Sequence, residues 1–140
     1  MSNNAVDAVF SRIAPMTLLR VVTGLYYFPH VLSKIISFPG TVGFFAKAGF
    51  QPAAFFVIFS ALMELCAGLC LVSGKFVKYA AIVSTGLLVV AAYAIVVVKG
   101  ANWYWNAGGI EYLIFWALAS VAVFLDAWRK DPGLLGFFKS

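Results

Sequence analysis

Four long apolar runs fill most of this 140-residue chain and restrict what it can fold into. They cover residues 13–36, 52–72, 76–98 and 109–128. A hydrocarbon core of roughly 30 Å needs about 20 apolar residues in a helix, which each run supplies. Hydrophobic residues make up 64% of the chain and charged residues 11%, so too few polar residues remain to cover a water-facing surface. The sequence therefore predicts an integral membrane protein: a single all-α domain over residues 1–140, built as a bundle of four transmembrane helices.

Basic residues flank the predicted spans unequally. Six lie beside one end of the spans and three beside the other: Arg12, Lys75, Lys78, Arg129, Lys130 and Lys139 against Lys34, Lys47 and Lys99. By the positive-inside rule, this inequality predicts a multi-pass protein with both termini in the cytoplasm. Topology and attraction to anionic lipid headgroups then account for the net charge of +5, and nucleic-acid binding is not expected.

The first span combines a polar stripe with a proline. Arg20, Tyr27 and Lys34 recur every seven residues and so share one helix face, with His30 near the same line. Pro29 lies inside the helix and cannot donate to the carbonyl four residues earlier, which predicts a kink just before His30. The following residues, 37–51, are too apolar for a loop in water. They predict a short re-entrant or interfacial helix.

Ionisable residues inside the spans are the candidate functional residues, because insertion scales assign a cost of roughly 2.5–3.5 kcal/mol to an Arg, Lys or Asp at a helix centre. At a rise of 1.5 Å per residue, Arg20 lies about 12 Å and Glu64 about 16 Å from the cytoplasmic edge. Since these depths are similar and the helices adjacent, we predict an Arg20–Glu64 ion pair. Such a pair either fixes the registry of the helices or lets Glu64 relay a proton or bind a ligand.

A second polar site is predicted towards the outer side of the membrane. Its expected members are His30, Lys34 and Glu111 as polar groups, with Trp103, Trp105 and Tyr112 as an aromatic roof. An aromatic belt at the interface is the alternative explanation for the two tryptophans. A structural role remains the alternative for His30, which is the only histidine.

No motif for haem, flavin, a metal ion or an iron–sulfur cluster is visible in the sequence. Cys66 and Cys70 are spaced i, i+4 in the second span, and we interpret them as small packing residues rather than as a disulfide.

Several short motifs resemble the DoxX family of small four-helix bacterial membrane proteins. They are Leu18-Leu19-Arg20 with Gly24, His30 with Lys34, Glu64 with Gly68, and Gly108-Gly109-Ile110-Glu111-Tyr112. Val31 departs from the family pattern, which usually has glycine after the histidine. The resemblance implies a protein of the bacterial cytoplasmic membrane with a role around membrane redox chemistry. Relatives include a subunit of thiosulfate:quinone oxidoreductase, membrane partners of sulfur-handling or oxidative-stress enzymes, and distant assembly factors.

Three functions follow as hypotheses. The first is a membrane subunit, not an autonomous enzyme, that links a partner oxidoreductase to the quinone pool. In this hypothesis Glu64 and His30 act catalytically, and the quinone is bound by a set of six residues: Arg20, Lys34, Trp103, Trp105, Glu111 and Tyr112. The second is a non-catalytic anchor or assembly factor for a peripheral enzyme, and the third is a small-molecule transporter or channel. Besides the bilayer, the expected partner is a redox protein or further copies of the chain.

Overall fold

A computed structural model of the chain describes residues 3–11 and 14–133, and this part is all-helical, as predicted. Its α-helices are α1 Asn3–Phe10, α2 Pro15–Leu25, α3 Tyr27–Ile36, α4 Phe38–Lys47, α5 Ala53–Ser73, α6 Val77–Lys99 and α7 Glu111–Lys130. A short 3₁₀ turn occupies Trp105–Ala107. Arg12 and Lys139, which contributed to the predicted orientation, lie outside the described residues, as does the start of the first predicted span at Ile13.

Three helices of the described part are long and apolar enough to cross a membrane, namely α5, α6 and α7. They begin and end within two residues of the predicted spans 52–72, 76–98 and 109–128. The first predicted span is not one continuous helix, however, because α2 and α3 divide it and each is only about half the required length. Of the four predicted spans, three are therefore found as long apolar helices, and the first is divided in two.

The break between α2 and α3 falls at Tyr26, one turn before Pro29. Because proline has no N–H and its ring crowds the preceding turn, the helix cannot continue regularly through this point. The predicted kink is therefore confirmed. The predicted short helix after the first span is also present, as α4, which packs against α5, α3 and α6.

The helices form a bundle in which α2 lies between α5 and α7, and α6 packs against both α5 and α7. Helices α5 and α6 are joined through Gly74 in a left-handed conformation. We call this side of the bundle the turn end, and the opposite side, which carries α4 and residues 100–110, the loop end.

Close contact between α2 and α5 depends on two glycines. A Cβ atom on Gly24 would lie 2.8 Å from the Leu71 Cβ and 3.0 Å from the Gly68 carbonyl oxygen, and a Cβ on Gly68 would lie 3.1 Å from the Gly24 oxygen. Small residues of this kind let helix backbones approach closely in membranes. The contact holds the first broken helix against α5 and so positions the residues of α3.

Candidate functional site

A cavity of about 440 Å³ lies at the loop end, bounded by residues of α3, α4, α5, α6 and α7. We call it the loop-end cavity. Its wall is mostly apolar, with polar side chains concentrated on α3 and α5. The polar and ionisable residues of the wall include His30, Ser33, Lys34, Ser60, Glu64 and Tyr112. An apolar pocket with a few convergent polar groups is the usual form of a small-molecule site.

An ion pair between α3 and α5 lies in the wall of this cavity. The Lys34 Nζ donates to Glu64 Oε1 over 2.8 Å and to the Ser60 Oγ over 2.9 Å. It also lies 5.7 Å from the centre of the Phe45 ring. The side chains of Lys34 and Glu64 are only 16% and 13% exposed. Each charge is therefore compensated chiefly by the other.

The second carboxylate oxygen of Glu64, Oε2, is buried and accepts no hydrogen bond from the described part of the chain. Buried polar atoms are nearly always paired, because leaving one unpaired costs free energy. This oxygen can accept a hydrogen bond from a ligand, or a proton, while Oε1 remains bound to Lys34. The ion pair thus places a donor and an unpartnered acceptor at the wall of one cavity.

Aromatic rings form another part of the wall, around Trp116 of α7. The centre of the Trp116 ring lies 4.6 Å from that of Tyr27, 5.3 Å from that of His30 and 5.7 Å from that of Tyr26. Trp116 Nε1 donates to the Thr23 carbonyl oxygen over 3.2 Å, and this fixes the indole plane. Tyr26 lies outside the wall, and Tyr27 and Trp116 are only 1% and 5% exposed. His30 is therefore the ring of this cluster that a flat ligand can contact most fully.

A chain of buried hydroxyl groups leads from the cavity into the bundle. The Tyr27 Oη and Ser84 Oγ atoms are 2.6 Å apart, and the Ser84 Oγ lies 2.7 Å from the Ser120 Oγ. Ser120 donates in turn to the Trp116 carbonyl oxygen. The three side chains come from α3, α6 and α7, so the chain of hydroxyls ties these helices together at the base of the cavity.

Arg20 does not pair with Glu64, and the predicted Arg20–Glu64 ion pair is wrong. Arg20 donates instead to the carbonyl oxygens of Leu71 and Val72, at the turn end of α5. The physical reason is that the Cα–Cβ bond in a helix tilts towards the helix N-terminus. Because α2 and α5 run in opposite directions, the Arg20 and Glu64 side chains diverge, whereas those of Lys34 and Glu64 converge.

A second cleft, of about 380 Å³, lies at the turn end and includes Arg20 and Lys78 in its wall. Lys78 is only 4% exposed. Its Nζ donates to the backbone oxygens of Asp131 and Gly133, and lies 3.0 Å from Asp131 Oδ2. Since both cations are bonded to carbonyl oxygens of the chain itself, the turn-end cleft is the weaker candidate for a ligand site.

The predicted outer site is therefore brought together only in part. His30, Lys34 and Tyr112 line the loop-end cavity, together with Glu64, whereas Glu111 is not part of the wall. The predicted roof is not formed, because Trp103 and Trp105 lie outside the wall and are 55% and 66% exposed.

The backbone explains the position of these outer residues. A Cβ atom on Gly109 would lie 2.4 Å from the Trp103 carbonyl, so only glycine at this position lets the two segments of the loop lie this close to each other. The Glu111 N–H donates to the Trp103 carbonyl oxygen over 3.0 Å, which anchors the loop to the start of α7. The loop is thus folded on itself and does not reach over the cavity.

Sequence reasoning missed Ser60 and Trp116 as members of the site. Ser60 lies four residues before Glu64, so it was identifiable as sharing the helix face of that carboxylate. Trp116 lies within an apolar run and gave no such signal. Cys66 and Cys70 are both free thiols, the first exposed and the second half-buried, and neither lines the cavity.

A comparison with protein-family models matches residues 16–98 to the family described as DoxX. The chain belongs to the DoxX family. The matched segment includes Arg20, His30, Lys34 and Glu64, but ends before the glycine-rich motif at residues 108–112. Neither the curated proteins nor the solved structures gave a match to this DoxX chain. Family membership and the three long apolar helices identify it as a membrane protein in contact with the lipid bilayer.

Proposed function

We propose that this DoxX protein is the membrane subunit of a redox system, and that its loop-end cavity binds the head group of a quinone. The observation that carries the proposal is the Lys34–Glu64 pair, which places an ammonium group and a buried, unpartnered carboxylate oxygen at the wall of one mostly apolar cavity. A quinone head is flat and has two carbonyl oxygens that accept hydrogen bonds. Its reduced form carries two hydroxyl groups that donate them.

Each requirement of that ligand has a counterpart in the wall. The third ammonium hydrogen of Lys34 can be donated to a carbonyl oxygen, because Lys34 donates the other two to Ser60 and Glu64, and Glu64 Oε2 can accept from a hydroxyl group or take its proton. The exposed His30 ring, which lies against Trp116, provides a surface for the head group. Since the sequence has no motif for a redox cofactor, electrons come from a partner oxidoreductase.

The same proposal includes four spans, with α2 and α3 together forming the first. Residues 15–36 would extend about 33 Å at 1.5 Å per residue, enough to cross the hydrocarbon core despite the break. The basic residues of the described part favour the turn end as the cytoplasmic side of a bacterial inner membrane. Lys75, Lys78, Arg129 and Lys130 lie at that end, and Lys34, Lys47 and Lys99 at the other.

Quinone binding to the purified protein in lipid nanodiscs tests the site. The ligand would be a short-chain benzoquinone, followed by the quenching of tryptophan fluorescence. Lys34→Gln is expected to weaken binding at least tenfold, since a hydrogen bond to a charged group contributes about 1.5–3 kcal/mol. Lys47→Gln is the matched control, because Lys47 is an exposed residue of α4 outside the cavity wall. Equal affinity of the two variants would contradict the proposed site.

The redox partner requires a separate test. Extraction of the native protein in mild detergent, followed by mass spectrometry of copurifying proteins and lipids, should recover an oxidoreductase together with bound quinone. Recovery of the protein with phospholipid alone would favour an anchor or a transporter and would reduce the ion pair to a structural element.

A further inference from the structure

Helices α3 and α7 separate at the level of the loop-end cavity. Below the break at Tyr26, α2 packs along α7, and Trp116 is bonded to the Thr23 backbone. Beyond the break, α3 packs against α5 and α4, and it touches α7 through the Tyr27 and His30 rings at Trp116. The break therefore directs the upper half of the first span away from α7, and the side of the bundle between the two helices is left open above Trp116.

One face of α3 borders this gap and is polar. His30, Ser33 and Ser37 are spaced by three and four residues and so share one helix face. All three are exposed, and all three line the loop-end cavity. Across the gap, Tyr112 of α7 is also a wall residue and is 42% exposed. The cavity and the outer surface of the bundle therefore share the same residues at this place.

Polar side chains within a membrane normally face the protein interior or a cavity, because contact with hydrocarbon is costly. Polar residues along a lateral gap are accordingly explained if the gap is the mouth of the cavity. The surface of α7 just below Tyr112 is apolar, with Phe115 and Leu118 exposed by 73% and 63%. An apolar chain leaving the gap would lie along this surface.

We propose that the loop-end cavity opens sideways into the bilayer between α3 and α7, and that its ligand is an amphiphile with a long apolar tail. The polar head lies at Lys34 and Glu64, and the tail passes between Ser33 and Tyr112 into the lipid. This inference rests on the proposed function in taking a quinone as the head group. It adds that the site selects membrane-dissolved quinones, whose tails need the lateral gap, whereas a tailless head group does not.

Two benzoquinones with the same head group test this route in nanodiscs, one with a decyl tail and one without. Ser33→Trp places a large side chain in the gap. The control is Leu32→Trp, at the neighbouring position of α3, which is 55% exposed and outside the cavity wall. Ser33→Trp is expected to slow association of the tailed quinone at least tenfold more than that of the tailless quinone. Leu32→Trp should change neither rate.

A photoreactive diazirine at the end of the decyl tail gives a second, direct readout. In the wild-type protein it is expected to label α7 around Phe115 and Leu118, as identified by peptide mass spectrometry. Labelling concentrated on the exposed face of α5 at Phe55 and Phe59 would overturn the proposed route.

Further results of the kinetic experiment would also overturn it. Equal slowing of both quinones by Ser33→Trp, or slowing of neither, would contradict lateral admission while leaving quinone binding intact. A change of oligomeric state in Ser33→Trp would assign the gap to a second copy of the chain. If the wild-type protein bound neither quinone, the proposed function itself would fail, and the lateral route with it.

Discussion

Lys34 donates to Glu64 across 2.8 Å and so joins the upper half of the broken first helix to the middle of α5. The two side chains meet because α3 and α5 are antiparallel and each side chain inclines towards the N-terminus of its own helix. This pair is the only contact between opposite charges in the wall of the loop-end cavity among the described residues. It is both the polar centre of the candidate site and a tie between helices.

A single substitution in the pair should lower the stability of the protein by more than the pair itself contributes to it. Lys34→Ala leaves a mostly buried carboxylate without its partner and is expected to lower the free energy of unfolding by about 3 kcal/mol. Glu64→Gln should cost less, because its amide oxygen still accepts from Lys34. Unfolding in detergent, followed by circular dichroism, measures both changes.

A double-mutant cycle separates the pair from its surroundings. Lys34→Ala and Glu64→Ala together should cost less than the sum of the single changes by about 1 kcal/mol or more. Additive effects would show that the two side chains contribute independently and would contradict the pairing.

Arg20 is expected to stabilise the protein without taking part in ligand binding. Arg20→Ala removes hydrogen bonds to the carbonyl oxygens of Leu71 and Val72 and should cost about 2 kcal/mol of unfolding free energy. Quinone affinity, measured at a temperature at which the variant is folded, should change less than twofold. A tenfold loss of affinity with unchanged stability would return Arg20 to the ligand site.

The glycine contact between α2 and α5 predicts a position-specific effect of one methyl group. Gly24→Ala should destabilise the protein by about 1–3 kcal/mol, because the new Cβ would lie 2.8 Å from that of Leu71. Gly86→Ala in α6 is the matched control, since its added Cβ would meet no atom within 4 Å beyond its chain neighbours and the adjacent backbone of its own helix. It should be neutral or slightly stabilising, as alanine favours a helix over glycine. Equal effects at both positions would contradict close packing at Gly24.

The buried hydroxyl chain offers a further test. Ser84→Ala removes the group that lies between the Tyr27 and Ser120 hydroxyls, and it should cost about 1 kcal/mol, in the range of measured hydrogen bonds between membrane helices. Ser73→Ala, at an exposed position at the end of α5, is the control and should have little effect. The same unfolding assay applies, and an equally small effect at both serines would argue against the chain of hydroxyls.

Helix boundaries and the kink were predictable from the sequence, whereas the partner of Glu64 was not. The length of the apolar runs determines α5, α6 and α7, and Pro29 marks the break at Tyr26. The depth of a Cα atom along its helix does not determine where a long side chain ends. Arg20 and Lys34 both reach several ångströms from the backbone, and helix direction decides which of them meets Glu64.

The cavity itself depends on where the helices diverge. The periodicity of apolar and polar residues in the sequence gives no information on this. The predicted aromatic roof failed because Trp103 and Trp105 belong to a loop folded back on its own backbone. Trp116, by contrast, lies inside an apolar run and becomes part of the site through the bend of a different helix. Such members of a site become visible only when the helices are placed in three dimensions.

The order of the helices along the chain has a consequence for biosynthesis. Both members of the Lys34–Glu64 pair precede residue 74, so a ribosome has already made the cation and its carboxylate before α6 and α7 are translated. Each charge alone would oppose transfer of its helix into lipid. If α2 and α3 together form a span as proposed, their neutralised hairpin with α5 can leave the translocation machinery as a unit, and the later helices then pack onto a preformed pair.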